Sequence, residues 1–304
     1  MKIIIILLLI FIGIGLYFYN VAIKRSKKNF LFGNEDLGDI ISTNREDANS
    51  KWFQSVNHED VEINSWDGLK LHGYFIEPKT PSDKIAILIH GYAGRAEGMS
   101  AFGKFYREDL NYNILMPDNR GHGKSDGNYI GFGWHDRLDC LEWINYIIDR
   151  FGEDSKILLH GISMGGATVL MTSGEDLPKN VKAIVSDCTY TSVNDQLKYQ
   201  LKRMYKLPSF PILQFTSLIT KIRAGYFFKD ASALKQVDKS KAPILFVHGT
   251  KDIFVPYEMV NELYKNCVSE KDIFIVPDAQ HGTAYRDDRE GYEKKVIEFI
   301  GKYI

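Results

Sequence analysis

Six short apolar runs constrain this chain more than any other feature. They are Ile85–Ile89, Tyr112–Met116, Lys156–Leu159, Val181–Val185, Pro243–Val247 and Ile273–Val276, and each breaks off at turn or polar residues. Near-continuous apolar runs of this length suit parallel strands buried on both faces. The segments between them are long enough for helices, and Leu138–Phe151 and Tyr292–Ile304 carry helical spacing. Strand–helix alternation over such a length predicts a doubly wound, mostly parallel α/β sheet. Upstream, Val61–Ser65 and Leu69–Ile76 alternate around Asp67-Gly68, the signature of a tight β-hairpin. The 304 residues allow one large domain with an appendage or two small ones, and no internal repeat is present.

One stretch breaks the alternation. Residues 188–237 lack a strand signal but are dense in aromatics, including Tyr190, Tyr199, Tyr205, Phe210, Phe215 and Phe228, around Pro208 and Pro211. This predicts a helical insertion between two core strands, packed on the core and placed to serve as a lid.

The N-terminus is a second anomaly. Ile3 to Tyr19 contains no charge, and continuing to Ile23 gives a helix of about 31 Å, enough to cross a bilayer core. A cleaved signal peptide would show small residues at its cleavage site, and none precedes the basic cluster that follows. A lipoprotein would need a cysteine there, and the first is Cys140. The expectation is therefore an uncleaved single-pass anchor over 1–23 and a polar tether over 24–50. A globular domain remains over 51–304. Lys24, Arg25, Lys27 and Lys28 follow the span, which by the positive-inside rule leaves the bulk of the chain facing the cytoplasm.

The sharpest chemical signal is Gly161-Ile162-Ser163-Met164-Gly165-Gly166, which an apolar strand enters and Ala167–Met171 continues as a helix. In such an elbow a serine sits on a strained turn with its hydroxyl above the sheet edge. Gly161 and Gly165 leave room for the neighbouring elements. A serine hydroxyl needs a base, and the base an orienting carboxylate. The expected chain order is Ser, acid, His, which Asp252 in HGTKDIFVP and His281 in DAQHG satisfy. Each follows an apolar strand and lies at the carboxyl edge where Ser163 emerges. Asp187, after Val181–Val185, is the alternative acid. His90, His122, His160 and His248 also occupy strand ends or turns, where histidines are more often hydrogen-bonded structure than catalysts. The loop His90-Gly91-Tyr92-Ala93-Gly94 follows another strand, so the backbone amides of Tyr92 and Met164 are the expected oxyanion donors.

Composition removes other classes. With 38 bases against 39 acids the chain has no basic field for nucleic acid. Its three cysteines form neither a disulfide framework nor a zinc pattern, the eight histidines form no ligand motif, and no cofactor is expected.

From about Trp66 to Ile304 the chain resembles the α/β-hydrolase superfamily of serine hydrolases. HGYAG at 90–94, GISMGG at 161–166, HGTKD at 248–252 and AQHG at 279–282 carry the likeness. The segment Asp118–Ser125, DNRGHGKS, looks like the loop that braces the active site in the esterase, lysophospholipase-like and S33-peptidase-like branches. Most specifically, the chain is similar to membrane-anchored bacterial hydrolases of the YqkD type. The resemblance implies Ser163 as nucleophile, Asp252 as acid and His281 as base. The expected activity is cleavage of a small acyl ester, lipid-like because an apolar lid lies near an anchor. Amide or peptide cleavage by the same triad is the alternative within catalysis, and a non-catalytic tethered binding protein the alternative outside it.

Overall fold

The computed structural model describes residues 2–28 and 48–304. Eight strands among the described residues are β1 (Glu59–Asn64), β2 (Lys70–Ile76), β3 (Lys84–Ile89), β4 (Asn113–Pro117), β5 (Lys156–Ile162), β6 (Val181–Asp187), β7 (Ile244–Gly249) and β8 (Lys271–Val276). They form one sheet in the order β1-β2-β4-β3-β5-β6-β7-β8. The β1/β2 and β2/β4 pairs are antiparallel, and every pair from β4 to β8 is parallel.

Helices cover both faces. They are α1 (Lys2–Phe18, extended by a π turn over Tyr19–Ile23), α2 (Ala48–Ser55), α3 (Ser100–Lys104), α4 (Asp136–Phe151), α5 (Met164–Thr172), α6 (Val193–Tyr205), α7 (Ile212–Ala224), α8 (Ala233–Val237), α9 (Glu258–Asn266), α10 (Ala284–Asp287) and α11 (Arg289–Ile300). Strand alternation sorts the core into two layers. Ile85, Ile87 and Ile89 join Trp143 and Ile147 of α4 and Val169 of α5, whereas Ala86 and Leu88 join Phe102 of α3 and Tyr292 and Phe299 of α11. Because the interior strands β3 to β7 must be apolar on both sides, the period-2 signal vanishes and their runs read as continuous.

The chain moves outward from β3 to β4, then returns across β3 to β5, so the strand order reverses between β3 and β5. Their ends lie side by side, with Ile89 opposite Gly161. A crevice at such a reversal is where α/β sheets place their ligands.

The loop 118–125 braces this end of the sheet. Asp118 accepts from the amides of Ala96 and Lys124, both at 2.9 Å. Arg120 is fully buried and binds Asp139 of α4 at 2.6 Å and Asp67 of the β1–β2 turn at 3.0 Å. Removing one partner of a buried ion cluster strands the others, typically at a cost of about 3–5 kcal/mol. Arg120→Met is accordingly expected to lower Tm by roughly 10 °C in a thermal melt, and an unchanged Tm contradicts this account of the loop.

The expected tether over 24–50 falls mostly on residues 29–47, outside the described residues. Its first residues are held by the domain instead. Arg25 donates to the carbonyls of Gly123, Ser125 and Gly127, and Lys24 bridges to Tyr129. Lys28 caps the end of the N-terminal helix through the carbonyls of Val21 and Lys24, each at 2.8 Å. Two of the four cations that the sequence offers as topological signals, Arg25 and Lys28, thus also have local acceptors.

Candidate active site

Ser163 leaves β5 at φ 54° and ψ −113°, a conformation that costs a side-chain-bearing residue about 1–3 kcal/mol. The surroundings hold it there. Its N–H donates to Asp187 O at 2.8 Å, and its carbonyl accepts from Ala167 N at 2.9 Å to start α5. The sharp reversal requires close backbone packing on both sides. A Cβ at Gly161 would stand 2.6 Å from Gly166 N, and one at Gly165 would stand 2.6 Å from the carbonyl carbon of Ile89.

Two further strand ends deliver the partners. Asp252 follows β7 and His281 follows β8. His281 Nε2 lies 2.9 Å from Ser163 Oγ, and His281 Nδ1 lies 2.8 Å from Asp252 Oδ2. All three side chains are buried. The carboxylate fixes the imidazole with its proton on Nδ1, so that Nε2 can accept from the serine. Asp252 is itself immobilised, since its Oδ1 accepts from the amides of Phe254 and Val255 at 3.0 and 2.8 Å. Burial alone would push this carboxyl up, but the hydrogen bonds and charges of His281 and His248 hold it below the ordinary carboxylate range.

Asp187, the alternative acid, lies beside this pair but turns away from it. It accepts from Tyr292 Oη at 3.1 Å, and the same hydroxyl lies 3.1 Å from His160 Nε2, whose Nδ1 faces Tyr106 Oη at 2.9 Å. Burial raises the Asp187 carboxyl to about 6 and lowers His160 to about 3. His90 accepts from Asn119 N at 3.0 Å and faces the Gly91 carbonyl, while His122 faces Arg120 O and Ala93 N. Burial, reinforced by His90, keeps His122 down at about 3. These neutral rings order the loop after β3.

Tyr92 and Met164 line the same cleft as Ser163. The Tyr92 hydroxyl does not point at the serine, for it donates to Ala22 O at the end of the N-terminal helix, at 2.8 Å. The wall of this cleft is almost wholly apolar, as is usual for sites that take small organic molecules. Leu197, Leu201 and Met204 of α6, Leu213 of α7, Phe132 and Phe254 contribute to it.

Sequence reasoning offered His248 as hydrogen-bonded structure but did not place it, or Phe254, beside the acid–histidine pair. His248 Nε2 lies 3.2 Å from Asp252 Oδ2, giving the acid a second histidine, and the Phe254 ring packs 5.0 Å from that of His281. The signal was present, since HGTKDIF sets both within four positions of Asp252, but burial alone decides which way such side chains turn. Among the described residues one group of potential metal-ligand atoms converges, those of Cys188, Asp252 and His281, all buried. Two of the three are the acid–histidine pair itself.

Comparison with known proteins agrees with this fold. Residues 86–214 match the α/β-hydrolase fold family and residues 219–299 the dienelactone hydrolase family. YqkD of Bacillus subtilis is 28% identical over 289 residues, covering 95% of this chain and 92% of YqkD. YfhR of Escherichia coli K12 is 30% identical over 251 residues, covering 80% of each chain. Among solved structures, the Pyrococcus furiosus esterase Pf2001 superposes with a TM-score of 0.68 at 27% identity, covering 83% of this chain and 95% of that one.

Proposed function

The chain belongs to the α/β-hydrolase superfamily, and from that premise we propose that it is a serine hydrolase cleaving acyl or lipid-like carboxylic esters through an acyl-enzyme. The observation that carries the reading is the unbroken line from Ser163 Oγ through His281 to Asp252, at 2.9 and 2.8 Å, opening on an apolar cleft. A likeness to a protein described as an esterase supports the substrate class.

In this reading Ser163 Oγ attacks the ester carbonyl while His281 Nε2 takes its proton. The tetrahedral oxyanion rests on the amides of Tyr92 and Met164, each donor of this type contributing about 10²–10³ in rate. Asp252 stabilises the imidazolium, which then returns the proton to the departing alkoxide, and the alcohol leaves an acyl-Ser163. Water deprotonated by His281 attacks that carbonyl, and collapse of the second oxyanion releases the acid and restores the serine. Asp252 stays ionised throughout, consistent with the two histidines that hold its carboxyl down.

Residues 188–237 carry α6, α7 and α8, of which α6 and α7 contribute to the cleft wall, and the reading makes this insertion the lid. The 22-residue apolar segment Lys2–Ile23 is long enough to cross a bilayer, and in this reading it holds the enzyme at a cell membrane with the catalytic domain on the cytoplasmic side.

The test is a fluorophosphonate probe applied to the full chain. Stoichiometric labelling with the adduct mapped to the peptide containing Ser163 is the expected result. An unlabelled chain that retains its folded melting transition sinks the assignment.

A further inference from the structure

The N-terminal helix is not simply an anchor standing apart from the enzyme. It runs beside α7 in the same direction, with the same sequence offset at each meeting point. The Phe11 ring stacks on Phe215 at 5.4 Å, Gly15 packs on Ile219, and Tyr19 lies under the Arg223 guanidinium at 5.4 Å. Gly15 is the buried residue of α1, and a Cβ there would come within 3.0 Å of the Phe215 backbone. Small residues at such a crossing let two helices approach closely in an apolar medium.

The contact continues toward the site. Phe18 packs edge-on against Tyr205 of α6 at 5.1 Å, Ala22 O accepts from Tyr92, and Ile23 O accepts from Ile130 N at 2.7 Å. Phe18, Val21 and Ala22 therefore line the cleft that holds Ser163.

The two halves of the segment have different surroundings. Residues 2–10 are all exposed, whereas the docked half begins at Phe11. The exposed half spans about 14 Å, less than half of a hydrocarbon core about 30 Å thick. Phe210 just ahead of α7 and Ile222 on it are 72% and 75% exposed and add apolar surface on the helix that α1 accompanies. If the helix is to sit in a bilayer without abandoning the cleft, this side of the domain must sit against the bilayer too.

We propose that the second half of this segment is a wall of the substrate cleft, with Phe18, Val21 and Ala22 setting acyl-chain preference, so that the enzyme takes a long-chain acyl ester from the membrane its first half enters. This rests on the serine-hydrolase reading above and adds the source and shape of the substrate. A polar or short acyl group would leave the apolar wall unfilled, whereas a long chain removes both itself and that wall from water.

The test uses the full chain in phosphatidylcholine vesicles and in detergent micelles, with p-nitrophenyl palmitate and p-nitrophenyl acetate. Wild type is expected to favour palmitate in both settings. Ala22→Phe, which fills the cleft, is expected to lower the palmitate-to-acetate ratio of kcat/KM about tenfold. Phe18→Ala, which widens it, is expected to raise that ratio about threefold. Opposite signs are not what general damage to the fold produces. Ratios equal to wild type in both variants overturn the proposal, as does a wild-type preference for acetate. A wild type that hydrolyses neither ester and takes no fluorophosphonate overturns the hydrolase reading instead.

Discussion

Ser163→Ala is expected to lower kcat by about a millionfold, His281→Ala by nearly as much, and the double variant by no more than either alone. The non-additivity follows from the hydrogen-bonded line at 2.9 and 2.8 Å. A base without its nucleophile, or a nucleophile without its base, has nothing to do. What survives is the contribution of binding and oxyanion donors, of order 10³–10⁴ over water. Single-turnover assays with p-nitrophenyl butyrate on the three variants would measure this. Losses that multiply in the double variant would mean that the two residues act separately, and the proton-transfer scheme would fall.

Gly165→Ala is expected to destabilise the fold by more than about 4 kcal/mol, in the class of exceptional single substitutions. The added carbon would stand 2.6 Å from the carbonyl carbon of Ile89 and 2.7 Å from His90 O. Both are backbone atoms at the end of β3, so neither can rotate away. Relief requires moving β3 or α5, and either motion also shifts Ser163. The matched control is Gly98→Ala, where nothing lies within 4 Å of the new Cβ. It is expected to change stability by less than about 0.5 kcal/mol. Urea titrations of both variants decide the matter, and equal midpoints would refute the steric account of the elbow.

The core strands β3 to β7 were legible because each is buried on both sides and bounded by polar turns. Lys156–Leu159 anticipates β5, which extends to Ile162 because the last residues run straight into the elbow. The hairpin at Asp67-Gly68 was legible for a local reason, turn chemistry. The placement of Ser163, Asp252 and His281 came from topology, since each follows a strand whose carboxyl end faces one edge. Asp187 satisfied the same rule, and only the direction of its side chain, toward Tyr292, separates it from Asp252. No one-dimensional pattern carries that direction. The docking of α1 was illegible for a different reason. A run from Ile3 to Ile23 is apolar on every face, so nothing in it marks the stripe that meets α7. Gly15 was the one available sign, and Gly13 beside it, with nothing within 4 Å, looks the same in sequence.

The hydroxyl of Tyr92 joins the loop after β3 to the carbonyl of Ala22. A soluble form trimmed after Ile23 would therefore remove more than a handle for the membrane. It would cut that bond, withdraw the acceptor of Ile130 N and leave a gap beside Ser163 where Phe18, Val21 and Ala22 had been. Substrate screens run on such a trimmed protein would describe a breached pocket, and short water-soluble esters would rank falsely high.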